Sequence, residues 1–140
     1  MIYADNAATT RLDQEASEAM LPWLQDQYGN VSQPYSFARK PKKALSEART
    51  IIAQCINAQP EEIYFTSSGT ESDNWAIKGT MVYGDDRSIV TSQIEHHAIL
   101  NACAAVERLG FPVVYLPVDQ KGVVLPEQLR KTITDRIKLV

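Results

Sequence analysis

A chain of 140 residues, 44% apolar and 22% charged, is long enough to bury a core and has the composition of an ordinary globular domain, which excludes a disordered tail. Its net charge of −3 makes no electrostatic case for nucleic acid or an anionic membrane surface, and no apolar stretch reaches the ~20 residues of a membrane span. Met1 to Asn6 meets an acid at once, without a basic or apolar leader region, so the cytoplasm is the expected compartment.

In chain order, a short extended start at Ile2 to Ala4 leads to Asp13, which suits an N-cap. Ala16, Ala19, Met20, Trp23 and Leu24 then repeat at helical spacing. Pro22 interrupts this pattern and predicts a kink or an early stop. Tyr28-Gly29-Asn30 closes the segment with a residue able to take positive φ. The stretch from Val31 to Ser36 is irregular. The basic cluster Arg39, Lys40, Lys42 and Lys43 reads as the solvated start of a long helix, whose apolar face is Ala44, Leu45, Ala48, Ile51, Ile52, Cys55 and Ile56. After Pro60-Glu61-Glu62, the β-formers Ile63-Tyr64-Phe65 predict a short buried strand.

From there the pattern alternates. A helix is expected from about Thr70 to Val82, a strand at 88–92, and a helix from about His97 to Leu109 that Gly110 stops. A strand at 113–118, a turn at 119–122, a short helix from Pro126 to Ile133 and a strand opening at Ile137 complete the series. Such alternation predicts an α/β fold with a mainly parallel sheet and right-handed crossovers. The last four residues open a strand that leaves the sheet incomplete, and the expectation is a truncated polypeptide. Cys55 and Cys103 fall in helical segments outside any C-x-x-C pair. They are expected to be inert, buried thiols.

Three segments carry chemistry. Phe65 to Asn74 lies where a strand is expected to end and a helix to begin, the place where α/β proteins hold ligands. Helix starts leave N–H groups unpaired and bear partial positive charge. Gly69 lets an anion approach, and the hydroxyls of Ser68 and Thr70 add donors. A plain N-cap, with Glu71 favouring the helix dipole, fits the same residues. No G-K-[ST] follows the glycine, so this is not a P-loop. Ile94-Glu95-His96-His97 follows the second strand. Adjacent histidines face apart on a helix and make a poor metal pair, so no metal site is expected. A polar helix start and an imidazole stacked on a flat cofactor both remain open. Tyr3 to Thr10 is a small, polar run compatible with an ordinary arm.

Together, Tyr3-Ala4-Asp5-Asn6-Ala7-Ala8-Thr9-Thr10, Ala19-Met20-Leu21-Pro22, Tyr28-Gly29-Asn30, Phe65 to Asn74 with Ala76-Ile77-Lys78-Gly79, Thr91-Ser92, Ile94-Glu95-His96 and Tyr115-Leu116-Pro117-Val118-Asp119 resemble the cysteine desulfurases. These belong to the class V aminotransferases of fold type I. The resemblance implies the N-terminal part of such a pyridoxal 5′-phosphate (PLP) enzyme, with αβα layers around a mainly parallel sheet that is incomplete here. Residues 1–14 would be an N-terminal arm, approaching the mouth of the active site, and 15–140 the first part of the large PLP-binding domain. Gly69 and Thr70 match residues that hold the cofactor phosphate, and His96 matches the histidine stacked over the pyridine ring.

The activity so implied converts L-cysteine to L-alanine and passes sulfur to an enzyme persulfide, for iron–sulfur or thio-cofactor assembly. It is implied in a homodimer that serves a sulfur-acceptor or scaffold protein, with no nucleic-acid or membrane partner. Neither the cofactor-bonding lysine nor the persulfide cysteine of the family has a counterpart here, so no catalytic residue is assigned and the chain alone is expected to be inactive. Tyr35 and Ala38 replace the His and Gly of the family's His-x-x-Gly. Another class V enzyme, an aminotransferase or selenocysteine lyase, and a non-catalytic binding module are the alternatives.

Overall fold

The computed structural model describes residues 2–81 and 86–140. The chain divides into two compact units, Met1–Tyr64 and Phe65–Val140.

The first unit is helical. Helix α1 spans Gln14–Gln25, and Asp13 caps it as expected, its Oδ1 accepting the Ala16 N–H at 3.1 Å. Pro22 does not stop it: the helix runs on to Gln25, and the Asp26 and Gln27 N–H groups both bond the Pro22 carbonyl. Gly29 departs from expectation. It lacks positive φ, and its role is close approach: a Cβ there would lie 2.9 Å from the Phe37 carbonyl oxygen and 3.2 Å from the Ala38 Cα. Tyr28 completes this corner with an edge-to-face contact on Phe37.

Helix α2, Arg39–Cys55, begins in the basic cluster and packs against two single 3₁₀ turns, Ser36–Ala38 and Pro60–Glu62. Those turns are too small to cover its whole apolar face. Pro41 and Ala53 are buried, whereas Ile51 and Ile56 stay exposed. Cys55 is exposed as well, which corrects the expectation that both thiols are buried. The Arg49 guanidinium donates to the Ile63 carbonyl and ties the end of the unit to α2. Ile63-Tyr64-Phe65 is not a strand. Ile63 is buried but Tyr64 and Phe65 are exposed, and the three residues take no strand conformation. β propensity alone does not make a strand.

The second unit is α/β. Helix α3 spans Gly69–Gly79, so it ends before Val82, which lies outside the described residues. Strand β1 is Ser88–Ser92, α4 is His97–Arg108, β2 is Val113–Leu116, α5 is Pro126–Thr132 and β3 is Ile137–Leu139. The sheet order is β2-β1-β3, and both pairings are parallel. The β2 strand stops at Leu116, two residues early, because Asp119 organises the next turn. Its Oδ1 accepts the Lys121 and Val123 N–H groups, and Gly122 takes φ 78°. Gly110, at φ 90°, ends α4.

The core of this unit is Ile77, Ile89, Ala102, Cys103 and Val106, with α3 packed on α4. Ile77, Ile89 and Val106 each contribute roughly 1.5–3 kcal/mol on burial. Tyr115 joins this cluster from β2 and donates to Glu107 Oε2 at 2.8 Å. Burial, then that hydrogen bond and the carboxylate's charge, push its phenol up to about 12.

Two glycine substitutions should therefore differ in size of effect. Gly29→Ala should destabilise the protein by about 1–3 kcal/mol, the usual cost of forcing atoms into a packed corner. A Cβ at Gly69 meets nothing within 4 Å and its φ is ordinary, so Gly69→Ala should cost nothing. Chemical denaturation of the two variants measures both, and equal effects would contradict this account of Gly29.

Candidate functional site

The turn before α3 is built by side chains bonding back onto the backbone. Ser68 is the N-cap, and its Oγ accepts the Glu71 N–H at 3.3 Å. The Glu71 Oε2 accepts both the Ser67 N–H, at 2.7 Å, and the Ser67 hydroxyl, at 2.6 Å. Those two bonds, the hydroxyl first, hold the Glu71 carboxyl below the ordinary glutamate range. Thr66 Oγ1 donates to the Ser68 carbonyl at 3.1 Å and lies 2.7 Å from Ser72 Oγ. The N–H groups of Ser68, Gly69 and Thr70 take no partner among the described residues. They are the orphan donors of a helix start, with open space where Gly69 lacks a side chain.

The second segment leaves the sheet at Ser92. The Ser92 hydroxyl, at the buried end of β1, donates to Glu95 Oε1 at 2.9 Å, and the Gln93 N–H donates to the Leu116 carbonyl. His96 is the exposed N-cap of α4. Its Nδ1 accepts the Ala98 N–H at 3.1 Å, so a neutral ring carries its proton on Nε2. The His96 and His97 rings lie 6.4 Å apart and tilted by 45°.

Among the described residues no strand precedes Gly69, so neighbouring strand ends do not bring Gly69 and His96 together. What joins the two segments is α3 packed on α4 and a shared cavity of about 440 Å³. Asp73, one turn past Thr70, and Glu95, next to His96, both line it, above apolar residues that include Ile77, Ile89, Cys103 and Leu139. Gly69, Thr70 and His96 do not line it. Asp73 and Glu95 belong to the two segments that the sequence marks, but nothing in the sequence gives either a role of its own. The i, i+3 spacing of Thr70 and Asp73 was the signal available for the first.

Tyr35 and Ala38 have plain structural work in the first unit. The Tyr35 hydroxyl accepts the Asn30 N–H at 3.2 Å, and Ala38 is buried beside Gly29. In the N-terminal arm, the Tyr3 hydroxyl donates to the Asp5 carbonyl at 2.9 Å and lies 2.6 Å from Thr9 Oγ1. Among the described residues no helix is long and apolar enough to cross a membrane.

Parallel strands joined through helices define an α/β protein, a class that binds ligands beyond the carboxyl ends of its strands. The chain belongs to the aminotransferase class-V family, whose model matches residues 2–140. It is 48% identical over 99% of its length to a cysteine desulfurase IscS of Methanosarcina thermophila, and 46% identical to one of Clostridium botulinum. It spans about a third of these relatives, 35% and 36% of their lengths. Among solved structures, a NifS-like protein superposes with a TM-score of 0.88 at 36% identity, over 94% of this chain and 37% of that one. A second, SspA in complex with cysteine, gives a TM-score of 0.85 at 35% identity, over 96% and 40%. The fold is thus that of part of a fold type I enzyme.

The thiols separate by environment. Cys103 is wholly buried, and burial, then the nearby Glu107 charge, raises its pKa. A raised thiol holds less thiolate at any given pH than an ordinary one, and burial keeps reagents from it as well. One equivalent of a thiol reagent should label Cys55 rapidly in the native protein, with Cys103 reacting only on unfolding. Rapid labelling of Cys103 below pH 9 would contradict the packing described.

Proposed function

We propose that this chain supplies the front part of the PLP site of a cysteine desulfurase. Residues 1–14 form its arm and 15–140 the first part of its cofactor-binding domain. The observation that carries this reading is the match of essentially the whole chain, in order, to cysteine desulfurases at 45–48% identity. The residues present fit the cofactor. A phosphate dianion needs several unpaired donors, and the helix start at Gly69 and Thr70 offers them together with the Thr70 hydroxyl. A planar ring needs a flat partner, and His96 is held as an N-cap through Nδ1, which keeps its Nε2 proton available.

In this role Gly69 and Thr70 would hold the phosphate, and His96 would offer a flat partner for the pyridine ring and could hold or move a proton at Nε2. When bound, PLP supplies an electron sink for bonds at the substrate α-carbon. The proposed reaction converts L-cysteine to L-alanine, with sulfur passing to an enzyme persulfide destined for iron–sulfur or thio-cofactor assembly. The Cys55 and Cys103 thiols take no part, and no catalytic residue is assigned to these 140 residues. The working form is proposed to be a cytoplasmic homodimer that hands sulfur to an acceptor or scaffold protein. The SspA structure with cysteine supports the substrate class.

The protein as its source makes it should release alanine from L-cysteine and copurify with PLP. Thr70→Val should weaken PLP binding about tenfold, the scale of one hydrogen bond to a charged group, without shifting thermal unfolding. Equilibrium dialysis and alanine assay check both. A protein that stays free of PLP after soaking would end this reading.

A further inference from the structure

We propose that Glu71 is a positioning residue. By taking both donors of Ser67 on one carboxylate oxygen, it holds residues 67–70 so that three consecutive N–H groups stay free for a phosphate. The inference rests on the reading that this turn takes the PLP phosphate.

The geometry departs from an ordinary capping box in an informative way. In the usual S-x-x-E arrangement the N-cap side chain bonds the N–H three residues on, and the glutamate reaches back to the N–H of the N-cap itself. Ser68 and Glu71 have that spacing, and the first half is present, since Ser68 Oγ accepts the Glu71 N–H. The return half is displaced by one residue: the Glu71 carboxylate takes the Ser67 N–H in place of the Ser68 N–H. A standard box would consume the Ser68 donor. The displaced clasp spares it, and it joins those of Gly69 and Thr70 in an uninterrupted run.

A second consideration concerns charge. An ionised carboxylate suits a helix start, but it competes with any anion placed there. Glu71 directs one oxygen away from the helix start, to two donors at 2.7 and 2.6 Å on the residue that precedes the N-cap. Its lowered pKa agrees with that engagement and keeps it ionised at neutral pH. A glutamate serving only the helix dipole would need no contact with Ser67. The rest of the turn is bound to the same frame, because Thr66 Oγ1 holds the Ser68 carbonyl and the Ser72 N–H bonds that carbonyl too.

The test compares binding of PLP and of pyridoxal, which lacks the phosphate, to the complete protein stripped of cofactor. Hydrogen exchange at the Ser67 amide gives a second readout. In the wild type PLP should bind more tightly than pyridoxal. In Glu71→Ala that preference should fall about tenfold while pyridoxal binding holds, and Ser67 exchange should quicken. Glu71→Gln keeps an acceptor oxygen, and its preference should stay within about threefold of wild type. Ser67→Ala, which loses only the hydroxyl donor and serves should Glu71→Ala fail to fold, should fall between.

An equal loss for PLP and pyridoxal in Glu71→Ala would assign Glu71 a general structural role and overturn the proposal. So would a Gln variant as damaged as the Ala variant, since charge rather than the clasp would then be at work. If the wild type itself shows no preference for PLP, the phosphate reading of the turn is what fails, a result visible before any variant is made.

Discussion

The second unit depends on β1 being the middle strand. Ile89 and Val90 are successive residues, so their side chains leave opposite faces of the sheet, and both are almost wholly buried. A strand covered on both faces and paired in parallel on both edges has little freedom to shift, because a one-residue slip would exchange its two faces. Its carboxyl end is fixed with it. The Ser92 hydroxyl reaches Glu95, and the Gln93 N–H reaches the end of β2, so the start of α4 at His96 inherits its position from the sheet. Helix α3 has no strand leading into it. It inherits its position from α4 through the Ile77–Val106 cluster.

That difference explains which parts of the fold were legible in the sequence. From Ser88 onward, strands and helices fall close to where the alternation places them, because each is bounded by local chemistry. Gly110 and Gly122 do take positive φ, Asp119 does make a turn, and Pro126 does open a helix. The first unit was less legible. Pro22 predicts a kink or an early stop, and the stop does not occur: a proline late in a helix loses one N–H bond, and the turn beyond it closes on the Pro22 carbonyl. The triplet Ile63-Tyr64-Phe65 has the composition of a strand, and composition cannot report whether a ladder forms. Cys55 follows the same logic: the helical periodicity of α2 is real, but periodicity marks which face is apolar and not how much of it a neighbour covers.

The site divides along similar lines. A glycine among hydroxyls at a helix start can be read from a string of letters, as can a histidine four residues past a strand. The family resemblance rests on such short segments, and the match over residues 2–140 supports it across the chain. The cavity bordered by Asp73 and Glu95 was not readable, since it depends on how α3 and α4 meet. Nor was the reach of Glu71. Spacing assigned it to the helix dipole, whereas the side chain extends past the N-cap to Ser67, a choice of rotamer that spacing does not encode.

Gly29 and Gly69 show why residue type alone decides so little. At Gly29 the missing side chain is filled by the protein itself, with Phe37 and Ala38 against the backbone, so the glycine serves packing. At Gly69 the missing side chain leaves open space beside three unpaired N–H groups, and nothing in the chain's own packing or backbone angles calls for a glycine. On the proposed reading, the side-chain hydrogen bonds at Thr66, Ser67 and Ser68 hold these donors ready for an acceptor supplied from outside. An anion would suit them better than water, because the donors are consecutive, lie at the positive end of a helix, and would bond a shared negative charge more strongly than three separate neutral acceptors.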